Sequence, residues 1–128
     1  MNPFEEAMLS ELLALMRAGV PVRGVHITVR ELLSARMERG PLGPREVGDA
    51  VEATVRAACR LVRERDASGE LVETVCRATI EVVRGHGGES ARWLTEAMSV
   101  TYSVLDELAR ERAEEPAWRW IAGRLPYA

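Results

Sequence analysis

The sequence contains no lysine, and all 17 of its basic residues are arginine. Lysine is normally among the commonest residues, so its complete replacement reads as a preference for GC-rich codons rather than as arginine chemistry. Other scarcities say more about function. A net charge of only −3 leaves no electrostatic case for nucleic acid, which is recognised through basic patches. The start of the chain lacks a basic region and carries Glu5, Glu6 and Glu11 through its apolar stretch. That stretch therefore fits neither a secretory signal nor a transmembrane helix, and the expectation is a cytoplasmic protein without membrane association.

Cysteine is limited to Cys59 and Cys76, and no C-x-x-C, H-x-x-x-H or E-x-x-H spacing occurs. Free thiols are expected, since the cytosol keeps thiols reduced. Histidine is equally sparse. Neither His26 nor His86 has motif neighbours that would mark it as a base, and no nucleophile–base–acid arrangement is legible. The reading is a non-catalytic protein without a cofactor.

What is present is helical periodicity. The 128 residues, 47% hydrophobic and 29% charged, have the make-up of one soluble globular domain spanning 1–128. The sharpest signal runs from Val47 to Val83. Val47, Val51, Thr54, Ala58, Leu61 and Val62 recur at spacings of three and four, and so do Val72, Val75, Cys76, Thr79, Val82 and Val83. Each set draws one apolar stripe on a helix. Arg56, Arg60 and Arg63 share the opposite side of the first helix with Glu52, and Glu73, Arg77, Glu81 and Arg84 form the charged face of the second. The turn Asp66-Ala67-Ser68-Gly69 folds the two helices into an antiparallel hairpin that sets Cys59 level with Cys76. Ser68 or Asp66 would cap the second helix.

The flanking segments follow the same plan. Asn2-Pro3 supplies a cap and a first-turn proline for a helix running to about Ala18. Its apolar residues Phe4, Met8, Leu9, Leu12, Leu13, Leu15 and Met16 cover about half the circumference, wider than the roughly 100° that a surface helix needs. This helix either lies in a groove of its own chain or packs on a second subunit. Gly19-Val20-Pro21 ends it. A second helix carries Val22, Val25, Val29, Leu32 and Leu33 and stops near Gly40, with Arg36 oddly central on its apolar face. The segment Gly40–Pro44 is a rigid turn. After Gly85-His86-Gly87-Gly88, Ser90 caps a further helix bearing Leu94, Ala97, Met98, Thr101, Leu105 and Leu108 to about Arg112, and Pro116 begins a short last helix ending near Gly123. The fold class is all-α: an antiparallel up-down helical bundle of four long helices plus short N- and C-terminal helices. Thr28, Thr54, Thr79 and Thr101 recur at intervals of 26, 25 and 22 residues, which suggests duplication of a helical unit.

Four constellations could carry chemistry. The glycine loop at 85–88, with Arg84, His86 and Arg92, could hold an anion, but it follows a helix and lacks the phosphate-loop pattern, so it reads as a connection. His26, Cys59 and Cys76 fall near one level and could form a soft metal layer, against the ordinary reading of packed thiols and a solvated histidine. Thr28, Thr54 and Thr79 could line a polar pocket, or bond back to carbonyls of their own helices. Trp118, Trp120 and Tyr127 place three of the six aromatics in the last eleven residues. Those residues either cap the bundle, mark a partner or dimer contact, or touch lipid.

The expectation is an interaction or scaffold bundle that pairs as a homodimer through Leu9, Leu13 and Met16 of the first helix, the tail Trp118, Trp120 and Tyr127, or both. The alternatives are a small-ligand or metal-binding bundle using His26, Cys59 and Cys76, and an amphipathic surface-coating protein of phasin-like character.

Overall fold

Where the sequence punctuates itself, the chain turns. A computed structural model describes residues 2–39, 43–86 and 90–111, and the elements within them are all helices. These are α1 (Pro3–Arg17), α2 (Val22–Met37), α3 (Pro44–Arg65), α4 (Gly69–Gly85) and α5 (Ser90–Glu111). The last helix expected from Pro116 lies outside the described residues. α1 has 15 residues and so is no short appendage beside α2 with 16 and α4 with 17, while α3 and α5 have 22 each.

Asn2 caps α1 as its position suggests, accepting from the N–H groups of Phe4 at 2.9 Å and Glu5 at 3.2 Å. Gly19 ends that helix with a positive φ of 68°, a conformation that only glycine adopts without steric cost. Pro44 occupies the first turn of α3, where the Gly43 N–H donates to the Glu46 carboxylate at 3.0 Å. The α3–α4 turn differs from its expected form. α4 already includes Gly69, and Ser68 stands at its start without a capping hydrogen bond. Asp66 closes α3 instead, in the left-handed region at φ 56°, with its N–H donating to the Leu61 carbonyl.

α3 is the central element. It packs most extensively against α5 and α1, then against α4, and only lightly against α2, which lies mainly on α4. Its burial explains why one stripe could not describe it. Besides the expected Val47, Val51, Thr54, Ala58, Leu61 and Val62, the small residues Ala50, Ala53 and Ala57 and also Val55 are buried. Three pairings fix the direction of α5 along α3. Glu96 lies over Gly48, Glu107 binds Arg56 and Glu111 binds Arg63, so the two neighbours run in the same sense. A Cβ at Gly48 would stand 2.8 Å from Glu96 Oε1 and 3.0 Å from its Cγ. The Glu96 side chain thus occupies the space that a Cβ at Gly48 would take.

The arginine row opposite the apolar stripe meets α1 and α5. Arg56 donates to Glu52 at 2.8 Å and Glu107 at 3.0 Å, Arg60 to Glu6 at 2.6 Å and Glu5 at 3.2 Å, and Arg63 to Glu111 at 2.6 Å. Arg56 holds the Glu107 carboxyl below the usual carboxylate range, and these carboxylates in turn push the Arg56 and Arg60 guanidinium pKa values up. Both partners of the Arg56–Glu107 pair are partly exposed, so the ladder aligns helices more than it stabilises them.

α1 is an edge helix. Among the described elements it packs against α3 and α2 alone.

Candidate functional site

The residues singled out by sequence separate into three groups in space. The first is the supposed metal layer. Cys59 and Cys76 are buried free thiols, close enough that Cys59 influences Cys76, as the hairpin register implies. His26 turns away from them. It lies partly exposed on α2 with Nε2 2.9 Å from Glu81 Oε2 of α4. Among the described residues no three His, Cys, Asp or Glu side chains are arranged to hold a metal, so His26, Cys59 and Cys76 do not form a converging donor set. The period of a helix places residues at a level, but their azimuth decides whether they meet.

Burial raises the Cys59 thiol from its ordinary value of 9.0 to about 11 and raises Cys76 further. Nucleophilic thiol chemistry needs the thiolate, so both groups are inert as placed. The folded values exceed the unfolded ones, so the stability these thiols contribute is complete below pH 9 and is lost as pH rises towards 11. For Cys59 the loss reaches about 2–3 kcal/mol by linkage. Urea unfolding at pH 8 and pH 10.5 measures it. A Cys59→Ala/Cys76→Ala variant is expected to lose that share of the slope, and an unchanged slope would count against burial as the cause.

The threonines form the second group. Thr54 donates to the Ala50 carbonyl at 2.9 Å and Thr79 to that of Val75 at 2.7 Å, both fully buried. Each hydroxyl is satisfied within its own helix, as one of the two sequence readings holds. Thr28 is only partly buried, so the periodic set does not share one environment. Thr101 is the exception with consequences. Its side chain is fully buried, and its hydroxyl has no hydrogen-bond partner among the described residues. An unpaired buried hydroxyl costs about 1–3 kcal/mol. Thr101→Val is therefore expected to stabilise the protein by about 1 kcal/mol, read as a raised midpoint in chemical denaturation, whereas Thr54→Val gives no gain. A loss of stability in Thr101→Val would show that the hydroxyl has a partner.

The proposed interface residues are the third group. Leu9, Leu13 and Met16 are half-buried and pack on the core, while Met8 and Leu12 of the same helix are wholly buried. The tail residues Trp118, Trp120 and Tyr127 lie outside the described residues.

Two other features take clear places. Arg36 is half-buried in the last turn of α2, and Met37 rather than Arg36 continues the buried row of Val25, Val29 and Leu33. Of the glycine connection, Gly85 ends α4 and Gly87 and Gly88 lie outside the described residues. His86 packs its Nδ1 2.9 Å from the Val82 carbonyl, with Nε2 3.8 Å from Glu38.

Sequence reasoning missed the apolar pocket that opens where α1 ends, α2 begins and α3 turns into α4. Its volume is about 150 Å³. Met16, Val20, Val22 and Val25 line one side, and Ala67, Ser68, Leu71 and Thr74 the other. Val22 and Val25 of α2 meet Leu71 and Thr74 of α4 here, so α2 and α4 begin together. No periodic pattern could show this pocket, because its residues come from two inter-helix turns and three helix ends. It is much smaller than the several hundred Å³ of a typical small-molecule site, and it places no acid, base or thiol beside its apolar walls. No helix among the described residues is long and apolar enough to cross a membrane. In comparisons with known proteins, no family model, no curated protein and no solved structure matches this chain.

Proposed function

We propose that this protein is a non-catalytic interaction or scaffold bundle that self-associates through α1, with consecutive helices running up and down along the bundle. The observation that carries this reading is the position of α1. It is apolar around about half its circumference, and among the described residues it packs on α3 and α2 alone, with Leu9, Leu13 and Met16 partly open.

Size sets a condition on the pairing. Fifteen residues make a helix about 22 Å long and about 10 Å wide, which supplies roughly 220 Å², whereas a standard interface buries about 800 Å² per partner. The contact must extend past α1. The aromatic residues Trp118, Trp120 and Tyr127 are candidates for its margin. The cytoplasm suits this reading, since nothing in it calls for a disulfide. The test is the mass in solution of a chain with Leu9→Glu and Leu13→Glu. Dimers are expected for the unaltered protein and monomers for the variant.

A further inference from the structure

We propose that the pocket between the α1–α2 and α3–α4 turns is the seat of the chain's own C-terminal segment, residues 112–128, and that Trp118 or Trp120 is the side chain that enters it. This rests on the pocket and on where α5 ends, and the pocket shares Met16 with the α1 face.

The pocket is shaped for one side chain rather than for a metabolite. An apolar cavity of about 150 Å³ accommodates a benzene-sized ring, and this one is open on one side, so a larger ring can enter and remain partly outside. Its lining is apolar except for Ser68 and Thr74. That combination suits tryptophan, whose ring is hydrophobic and whose N–H seeks a partner when buried.

The end of α5 brings the segment to the right place. Glu111, the last described residue, accepts two hydrogen bonds from Arg63 at 2.6 and 2.9 Å. Arg63 stands one helical turn before Ala67, which lines the pocket. The segment therefore leaves α5 at the end of the molecule where the pocket opens. Extended chain covers at most about 3.3–3.6 Å per residue. The seven residues to Trp118 can thus span up to about 23–25 Å and the nine to Trp120 up to about 30–32 Å. The composition agrees, since Trp118, Trp120, Ile121, Leu125 and Tyr127 gather the apolar bulk of the segment within eleven residues.

The test uses the full chain with p-benzoylphenylalanine in place of Trp118 in one variant and of Trp120 in another, each checked for native helicity before irradiation. Light and heavy-isotope chains are mixed so that cross-links within and between chains separate by mass. The expected result is a cross-link from at least one position to Met16, Leu71 or a neighbouring lining residue, within one chain and independent of protein concentration. Cross-links to the same residues between light and heavy chains would assign the pocket to a second copy and overturn the proposal. Cross-links only elsewhere, or none in a protein of native helicity, would overturn it as well.

Discussion

Replacing Leu61 by alanine is expected to cost about 2–5 kcal/mol of unfolding free energy. A domain of this size has about 5–15 kcal/mol in total, so the variant is expected to be partly unfolded at moderate temperature. The reason lies in where Leu61 sits. It is 1% exposed, on the helix that every other helix touches. Removing its isobutyl group forfeits apolar burial and leaves a space that helices held on several sides cannot close. The backbone capping bonds at its carbonyl do not depend on the side chain, so the loss reports packing alone. Leu32, which is only partly buried on α2, is the comparison. Leu32→Ala should cost markedly less, and denaturant titration of both variants provides the measurement. A Leu61→Ala cost below that of Leu32→Ala would mean that α3 is not the centre of the core.

The second large effect concerns association. With both Leu9 and Leu13 changed to glutamate, dimers are expected to give way to monomers of 14.2 kDa at the same concentration. Burying an unpaired carboxylate costs several kcal/mol, and symmetric pairing doubles that cost because each subunit presents the same patch. The fold is expected to survive. Met8 and Leu12, which hold α1 to the core, are untouched and fully buried, and both altered residues are only half-buried in one chain. Far-UV circular dichroism should therefore remain native while sedimentation changes. A variant that keeps the mass of the unaltered protein would remove α1 from the interface.

Helices were legible in the sequence because their signals are local. Asn2 as a cap, Gly19 as a stop, Pro44 in a first turn and the i,i+4 valines of α3 and α4 each act within a few residues, and each is found where its chemistry places it. Position around the helix was less legible. Arg56, Arg60 and Arg63 read only as a row opposite the apolar stripe, because sequence alone does not tell that α1 and α5 stand beside α3 and supply Glu5, Glu6, Glu107 and Glu111. His26 illustrates the same gap. Its level agreed with the thiols, but its direction took it to Glu81. Buried alanines such as Ala53 and Ala57 gave little hydrophobic signal, although they mark the faces where neighbours come close to α3.

The candidate site was legible only in part, for a related reason. The width of the α1 stripe can be counted from residues, so Leu9, Leu13 and Met16 were identified. The pocket beside Met16 arises only when Val20 and Val22 of one connection meet Ala67 and Ser68 of another. The missing bond at Thr101 likewise follows from a rotamer and its surroundings rather than from any pattern. Its neighbours in the threonine series, Thr54 and Thr79, give no hint of the difference.

Native mass spectrometry of the full, tag-free chain tests the central claim most directly. The account predicts a complex of twice 14.2 kDa with no additional retained mass. A chain that remains at 14.2 kDa at every concentration, or one that retains a metal or small molecule, would contradict the reading of this bundle as a self-associating interaction protein.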